Sequence, residues 1–235
     1  MFDIYKPKYP LIRLGNNGDS GYVMSDIPDG FDMYIGGGVG SHYDLTNDMV
    51  AIEHFGIKDY KIFDATTKGV PDDADPGYIP KNIGIVNTDT LTNLETEVSG
   101  YSNVLLKMDI ENCEWNWINY ASYSTLMKFK QIAIEMHFAG FPEECGDNDV
   151  TMTEKIVAVI KLNKTHRMVH AHGNNYSRTV LEIGDYRVPA VTEFTFVRRD
   201  YSTDEFSTTK LPVPGLDFKN DHRLPDVDFI NIHAK

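Results

Sequence analysis

Cysteine and long apolar runs are scarce in this sequence. Its 235 residues include two cysteines, Cys113 and Cys145, whose separation fits no metal-binding motif. Their simplest interpretation is as reduced thiols in a cytosol-like compartment. No run approaches the roughly eighteen apolar residues that a membrane span requires, and segment 1–10 lacks the apolar centre of a signal peptide. We therefore expect a cytoplasmic protein that does not associate with membranes.

Basic residues are scarce relative to acidic ones. The chain has 22 lysines and arginines against 35 aspartates and glutamates, which gives a formal net charge of −13. Because nucleic-acid binding depends on a basic face that contacts phosphates, nucleic acid is not an expected partner. The length and the ordinary apolar content predict one domain over residues 1–235. The sequence does not indicate an oligomeric state.

Glycine, in contrast, is concentrated in one stretch, where a short apolar run leads into a glycine cluster and then into a helical pattern. The clustered glycines are Gly36, Gly37, Gly38 and Gly40. Strand, glycine turn and helix open many nucleotide-binding α/β units, since glycine tolerates positive φ and lets the backbone approach a ligand. A cluster that merely forms a tight turn is the alternative. A second strand pattern ending at Asp64 favours the nucleotide site, because an acid there can accept hydrogen bonds from ribose hydroxyls.

Strand and helix patterns alternate after residue 32, which predicts a doubly wound, mostly parallel α/β sheet. The predicted strands are 32–36, 60–64, 82–87, 103–110, 131–138, 167–172 and 190–197. The predicted helices are 44–56, 90–98, 114–129 and 152–162. The last strand follows Pro189 after a short turn, so we expect it to be antiparallel. Around a Rossmann-like core, 32–200, we expect an N-terminal hairpin or lid over 1–31 and a surface-wrapping tail over 201–235.

Several polar residues fall at the carboxyl ends of the predicted strands, where doubly wound sheets bind ligands. Asp109 ends a strand of apolar residues, and a buried acid there favours a functional role over helix capping. Glu135 and His137 share one strand face, as do His170 and His172. Carboxylates with imidazoles nearby could hold a divalent cation or supply a general base. The alternative is a set of polar residues that bond neighbouring loops.

Four further residues are candidate substrate contacts. His170 belongs to the strand-end group, and Asn174 follows Gly173 in a turn where its amide could bind a polar substrate. Arg13 and Tyr22 lie in a predicted hairpin over 11–24 and could face the ligand cleft. For the hairpin residues, packing of the hairpin on the core is the alternative.

Four motifs, in order along most of the chain, resemble those of FkbM-type and related methyltransferase-like proteins. They lie at 13–22 (RLGNNGDSGY), 105–115 (LLKMDIENCEW), 169–175 (VHAHGNN) and 193–200 (EFTFVRRD). The resemblance implies a seven-strand, Rossmann-like class I methyltransferase fold that binds S-adenosylmethionine. Three departures stand out: Tyr34 occupies the usual acid position before the first glycine, Asn112 replaces the glycine after "D-I-E", and Ser20 replaces a glycine.

The resemblance also implies roles for single residues. Gly36, Gly38 and Gly40 would cradle the amino-acid part of the cofactor, Asp64 would bind its ribose, and Asp109 would sit beside the methyl donor. Members of the group often methylate oxygens of sugars or glycosylated small molecules. Glycan O-methyltransferases encoded by large algal viruses are similar in size and character, which would imply the host cytoplasm.

The expected function is therefore methyl transfer from S-adenosylmethionine to a sugar hydroxyl of a glycan or of a glycosylated small molecule, with His172 or His137 as general base. Some bacterial sugar O-methyltransferases hold magnesium by acids at the ends of strands four and five, where Asp109 and Glu135 fall, so Mg²⁺ or Mn²⁺ is an expected ligand of this pair. One alternative is methylation of a protein side chain or another small molecule. Another is a non-catalytic module that binds the cofactor and assists a glycosyltransferase. A nicotinamide oxidoreductase fits the glycine spacing poorly.

Overall fold

The computed structural model describes residues 1–139 and 150–231. Within these ranges the chain forms strands, four α-helices and one 3₁₀ turn. The strands are β1 (Tyr5–Pro7), β2 (Leu11–Leu14), β3 (Tyr22–Ser25), β4 (Met33–Gly37), β5 (Tyr60–Phe63), β6 (Tyr78–Ile79), β7 (Asn82–Ile83), β8 (Leu91–Thr92), β9 (Val104–Met108), β10 (Phe129–His137), β11 (His166–Gly173), β12 (Val180–Ile183), β13 (Tyr186–Pro189), β14 (Val191–Arg198), β15 (Ser202–Phe206) and β16 (Ile230–Asn231). The helices are α1 (Thr46–His54), α2 (Glu114–Tyr120), α3 (Tyr123–Leu126) and α4 (Met152–Thr165), and the 3₁₀ turn is Arg199–Tyr201.

Seven strands form one central sheet in the order β11-β14-β10-β9-β4-β5-β6. Strands β10, β9, β4, β5 and β6 run parallel to one another. Strand β14 runs antiparallel to both of its neighbours, β10 and β11. The predicted mostly parallel α/β sheet with an antiparallel last strand is confirmed, and it is compatible with a Rossmann-like fold.

Helices cover both faces of this sheet. Alternate residues of each central strand point to opposite faces, so one strand contributes to two cores. Met33 and Ile35 of β4 join a core with α2, α3 and α4, whereas Tyr34 joins a second core with α1 and strands β2 and β3. The predicted hairpin is confirmed, with β2 and β3 antiparallel. The hairpin packs on the face of the sheet that carries the second core, where the amide of Ser25 donates to the Gln131 side chain at 2.8 Å.

Two predicted elements are wrong. Segment 82–87 does not extend the central sheet, since only β7 is a strand there and it pairs with β8 in a separate ribbon. The helix predicted over 90–98 is replaced by β8 and turns. The cause is local, because the Thr88 hydroxyl accepts hydrogen bonds from the amides of Thr90 (3.2 Å) and Leu91 (3.0 Å) and so stabilises a tight turn. The place beside β5 is taken by β6, which lies in a segment where neither a strand nor a helix was predicted.

The helix predicted over 114–129 is also interrupted. Helix α2 ends at Tyr120, and Ser122 begins α3 by accepting a hydrogen bond from the amide of Thr125 at 3.0 Å. Sequence patterns also missed the hairpin of β12 and β13, which the chain forms after β11 and before β14.

The described ranges contain no helix that is long and apolar enough to cross a bilayer. Cys113 is disulfide-bonded, so the prediction of a reduced thiol at this position is wrong. Cys145 lies outside the described residues. The compartment that was predicted from reduced thiols therefore loses that support.

Candidate active site

The register of the central sheet aligns six positions from six neighbouring strands in one row at the carboxyl edge. Glu193 pairs directly with Glu135 on one side and with His172 on the other. The remaining members each lie one residue beyond a paired strand end. From β5 to β11 the row consists of Asp64, Gly38, Asp109, Glu135, Glu193 and His172. Since neighbouring strands lie about 4.8 Å apart, adjacent members can contact one ligand.

Gly38 forms the sharp turn at the end of β4. Its φ is +83°, and a Cβ at this position would lie 1.7 Å from the carbonyl oxygen of Asp109. Its amide donates to the Phe63 carbonyl at 3.0 Å, and the amide of Asp109 donates to the Gly37 carbonyl at 2.9 Å. The turn therefore depends on glycine at this position, and it brings the ends of β4, β5 and β9 together.

A cleft of about 590 Å³ opens beside this turn, a volume typical of small-molecule sites. Four residues predicted to bind a cofactor line it. They are Gly38, Gly40, Asp64 and Asp109. Gly40 has a φ of +88°, and no atom of the described chain lies within 4 Å of a Cβ added there. The backbone of the turn is thus exposed to the cleft.

Gly36, the remaining predicted cofactor contact, is not among the described residues that line the cleft. It lies within β4, where an added Cβ would be 2.6 Å from Oδ1 of Asp48. The glycine is needed there because it admits the carboxylate of α1 to the sheet. The prediction placed it on the ligand side because the sequence alone does not show that Asp48 fills this space.

Asp64 lines the cleft and also fixes the backbone of the cleft wall through hydrogen bonds. Its Oδ2 accepts from the Val39 amide at 2.8 Å, and its Oδ1 accepts from the amides of Thr66 (2.6 Å) and Thr67 (3.1 Å). Burial alone would raise the pKa of Asp64, but these hydrogen bonds outweigh it and lower the pKa. The carboxylate is therefore charged at neutral pH and fixed in place.

Asp109, Glu135 and His137 form a cluster in which the potential metal-ligand atoms all lie within 4.8 Å of one another. Oδ1 of Asp109 is buried without a hydrogen-bond partner among the described residues. Burial and the charge of Asp109 raise the pKa of Glu135 to about 8. Two carboxylate donors and one imidazole suit a divalent cation, and the imidazole suits Mn²⁺ better than Mg²⁺. The resemblance implied the two acids as ligands, whereas His137 was predicted as a general base and only its place beside Glu135 indicated a share in a cation site.

Carboxylates surround the imidazole of His137. Its Nε2 lies 3.3 Å from Glu111 and 3.4 Å from Glu135, and its Nδ1 lies 3.2 Å from Glu114. Burial lowers the pKa of His137, but the facing carboxylates of Glu114 and Glu135 outweigh it and raise the pKa to about 11. In the absence of a cation the imidazole therefore carries a proton at neutral pH and is unavailable as a base.

His172 lies between two carboxylates at the other end of the row. Its Nδ1 is 3.5 Å from Glu193 and its Nε2 is 3.4 Å from Asp226. Burial lowers the pKa of His172, whereas Asp226 and Glu193 raise it, to about 10. His170 makes a similar contact, with its Nε2 at 2.8 Å from Asp217. Both imidazoles thus connect the sheet to the C-terminal segment.

This segment, residues 211–227 (the C-terminal strap), crosses the carboxyl edge of β11 and β14. Asn175 holds it in place by accepting from the Asp221 amide at 2.7 Å and donating to the Asp221 carbonyl at 2.8 Å. Asn220 donates to Glu193 at 2.8 Å and to Asp19 at 3.2 Å. The tail that was predicted to wrap the surface therefore also supplies side chains to the site, which its weak periodicity did not indicate.

Of the other predicted substrate contacts, Arg13 is bonded away from the cleft, whereas Asn174 and Tyr22 lie beside the row. Arg13 donates to three backbone carbonyls of the hairpin turn and the strap, including that of Leu216 at 3.1 Å, so it joins these segments and is not directed at the cleft. Asn174 donates to Glu135 at 3.1 Å and so orients a member of the row. Tyr22 is buried beside the row, and its pKa is raised well above the usual value by burial and by Asp109.

Glu193 is the functional candidate that sequence patterns missed. It is an acid within a buried strand of threonine, phenylalanine and valine, and the burial argument applied to Asp109 would have identified it. Comparison of the chain with known proteins adds no assignment: no family model matches it, and no curated protein matches it significantly.

Proposed function

We propose that this chain is an S-adenosylmethionine-dependent O-methyltransferase with the class I methyltransferase fold, and that it acts on a sugar hydroxyl. The observation that carries the proposal is the double position of Asp109. It lines the cleft beside the glycine turn and also belongs to the cluster with Glu135 and His137. A cofactor in the cleft and an acceptor at the cluster would meet at this carboxylate, which methyl transfer requires.

The cleft residues fit the cofactor in chemistry and shape. S-adenosylmethionine supplies an electrophilic methyl group when bound. Gly38 and Gly40 present backbone at positive φ to the cleft, which leaves room for a ligand against the main chain. Asp64 is charged and held rigid at the wall, where it can accept from ribose hydroxyls. The seven-strand sheet with an antiparallel last strand is the fold that the motif resemblance implies.

The cluster of Asp109, Glu135 and His137 fits a divalent cation. The unpartnered Asp109 oxygen and the raised pKa of Glu135 both indicate negative charge in need of compensation. A cation bound there would lower the pKa of a coordinated hydroxyl. His137 would then serve as a neutral ligand of the cation, and His172 is ion-paired with Glu193, so the role of general base passes from the imidazoles to a carboxylate of the row.

The acceptor is proposed to be an uncharged, hydroxyl-rich molecule. Beyond the cluster, the row and the strap carry Glu193, Asp226 and Asn220, whose carboxylate and amide groups are of the kind that bind hydroxyls. The same carboxylates repel phosphate and carboxylate groups. A neutral glycan is therefore favoured over a nucleotide sugar or an acidic sugar. Because acids also attract cations, a basic protein side chain is the second candidate acceptor.

Transfer of a labelled methyl group tests the proposal. Purified protein is incubated with labelled S-adenosylmethionine, with or without Mn²⁺, and with neutral glycans, acidic glycans or basic peptides. We expect label on neutral glycans, stimulation by Mn²⁺ and loss of transfer on chelation. Label on basic peptides alone would replace the sugar by a protein acceptor. Cofactor binding without transfer to any acceptor would favour the non-catalytic alternative.

A further inference from the structure

A buried lysine lies directly beneath the glycine turn. Lys107 of β9 is 8% exposed, and its Nζ donates to the carbonyl of Gly38 at 2.7 Å. Gly38 is the residue whose positive φ and close approach to Asp109 set the shape of the turn. The lysine therefore fixes the orientation of the peptide on which the cleft wall depends.

A carboxylate completes the charge balance around this lysine. Asp48 of α1 is 4% exposed and accepts a hydrogen bond from the Tyr34 hydroxyl at 2.6 Å. Burial raises the pKa of Asp48, and the charge of Lys107 opposes that shift. Gly36 leaves the space that this carboxylate occupies. Lys107, Asp48 and Tyr34 thus form a buried polar network on one side of the glycine turn.

The network also accounts for a departure in the sequence. Tyr34 stands where the methyltransferase-like sequences that this chain resembles usually carry an acid, two residues before the first glycine. In this chain the tyrosine hydroxyl reaches Asp48, so a carboxylate is delivered to the same region from the following helix. A charged group is thus retained beneath the turn although the strand itself lacks one.

We infer that Lys107 is a positioning residue for the cofactor: by holding the Gly38 carbonyl, it sets the shape of the cleft wall that the amino-acid part of the cofactor would contact. This inference rests on the proposed function. Lys107 has no assigned contact with a reacting atom, so its effect falls on cofactor binding. Loss of its amine leaves the Gly38 carbonyl without its charged donor and frees the turn to adopt other orientations.

Calorimetric titration of Lys107→Met with S-adenosylhomocysteine tests this role. We expect the affinity to fall about ten- to a hundredfold, the worth of one hydrogen bond from a charged donor. The matched control is Lys130→Met. Lys130 is a second buried lysine in a strand, and it is 1% exposed. It donates a hydrogen bond to the carbonyl of Gly30 at 2.6 Å, at the amino edge of the sheet, away from the cleft. It should lower thermal stability while leaving the affinity unchanged.

Lys107→Met leaves Asp48 as an unpaired buried charge, so the single variant could fail to fold. The double variant Lys107→Met/Asp48→Asn removes both charges and keeps a side chain that can bond Tyr34. We expect it to unfold near the wild-type temperature yet to retain the loss of cofactor affinity, with the KM for the acceptor unchanged. Wild-type affinity in the folded double variant would overturn the role of Lys107. Absence of binding by the wild type would instead refute the proposed function.

Discussion

Replacement of Gly38 by alanine should damage the cleft proposed to bind the cofactor more than it damages the fold. The new Cβ would lie 1.7 Å from the carbonyl oxygen of Asp109, so ordinary contact at 3.4 Å requires a displacement of about 1.7 Å. A φ of +83° adds about 1–2 kcal/mol of backbone strain for a residue with a side chain. Misplacement of a reacting site by about 1 Å can cost roughly 100-fold in rate. We therefore expect Gly38→Ala to lower both cofactor affinity and turnover at least that much.

Gly30→Ala separates strain from displacement. Gly30 also has a positive φ, +71°, but no atom of the described chain lies within 4 Å of an added Cβ. Gly30→Ala should therefore be destabilised only by the backbone strain, which for a chain of this size lowers Tm by roughly 2–8 °C.

Thermal unfolding followed by circular dichroism and titration with S-adenosylhomocysteine compare the two variants. Both should be less stable than the wild type, and only Gly38→Ala should lose affinity. Wild-type affinity in a folded Gly38→Ala variant would refute the assignment of the turn to the cofactor.

Three further predictions concern the row. Asp109→Asn should abolish methyl transfer in a protein with an unchanged circular dichroism spectrum, and near-normal turnover would remove Asp109 from the mechanism. Mn²⁺ should raise the Tm of the wild type by binding the folded state, and Glu135→Gln should remove most of that shift; equal shifts in both proteins would argue against the cation site. His172 has its pKa raised from 6.5 to about 10 by Asp226 and Glu193, against the effect of burial. Its ion pairs therefore stabilise the fold fully below pH 6.5, and that contribution is lost as pH rises towards 10. His172→Gln should flatten the fall in stability over this range, and an unchanged profile would exclude the ion pairs as its source.

The central strands could be predicted from sequence because their side chains follow a strong local pattern. Near-continuous apolar runs such as that of β9, which Lys107 alone interrupts, mark buried parallel strands, and a short turn after Pro189 marked an antiparallel one. Among the short strands, β6 gave no comparable signal, and β7 lies in a predicted strand but pairs with β8 outside the central sheet. Their pairing depends on where the chain returns to the sheet, and the hydroxyl of Thr88 determined a turn in place of the predicted helix.

The candidate site could be predicted only where its residues lie at strand ends. Asp64 and Asp109 were found in this way. The burial argument used for Asp109 could have identified Glu193 as a buried acid, but its place beside Glu135 and His172 depends on the sheet register, which brings distant segments together. Arg13 was predicted either to contact a ligand or to pack on the core, and its hydrogen bonds to backbone carbonyls favour packing, which the sequence could not decide because one of those partners, Leu216, lies in a distant segment.

Binding of S-adenosylmethionine to the wild-type chain tests the central claim most directly. Isothermal titration should give one saturable site per chain, with competition by S-adenosylhomocysteine, because one cleft joins Gly38, Asp64 and Asp109. A folded protein that releases no binding heat at any temperature tested, and retains no labelled cofactor in equilibrium dialysis, would contradict the account.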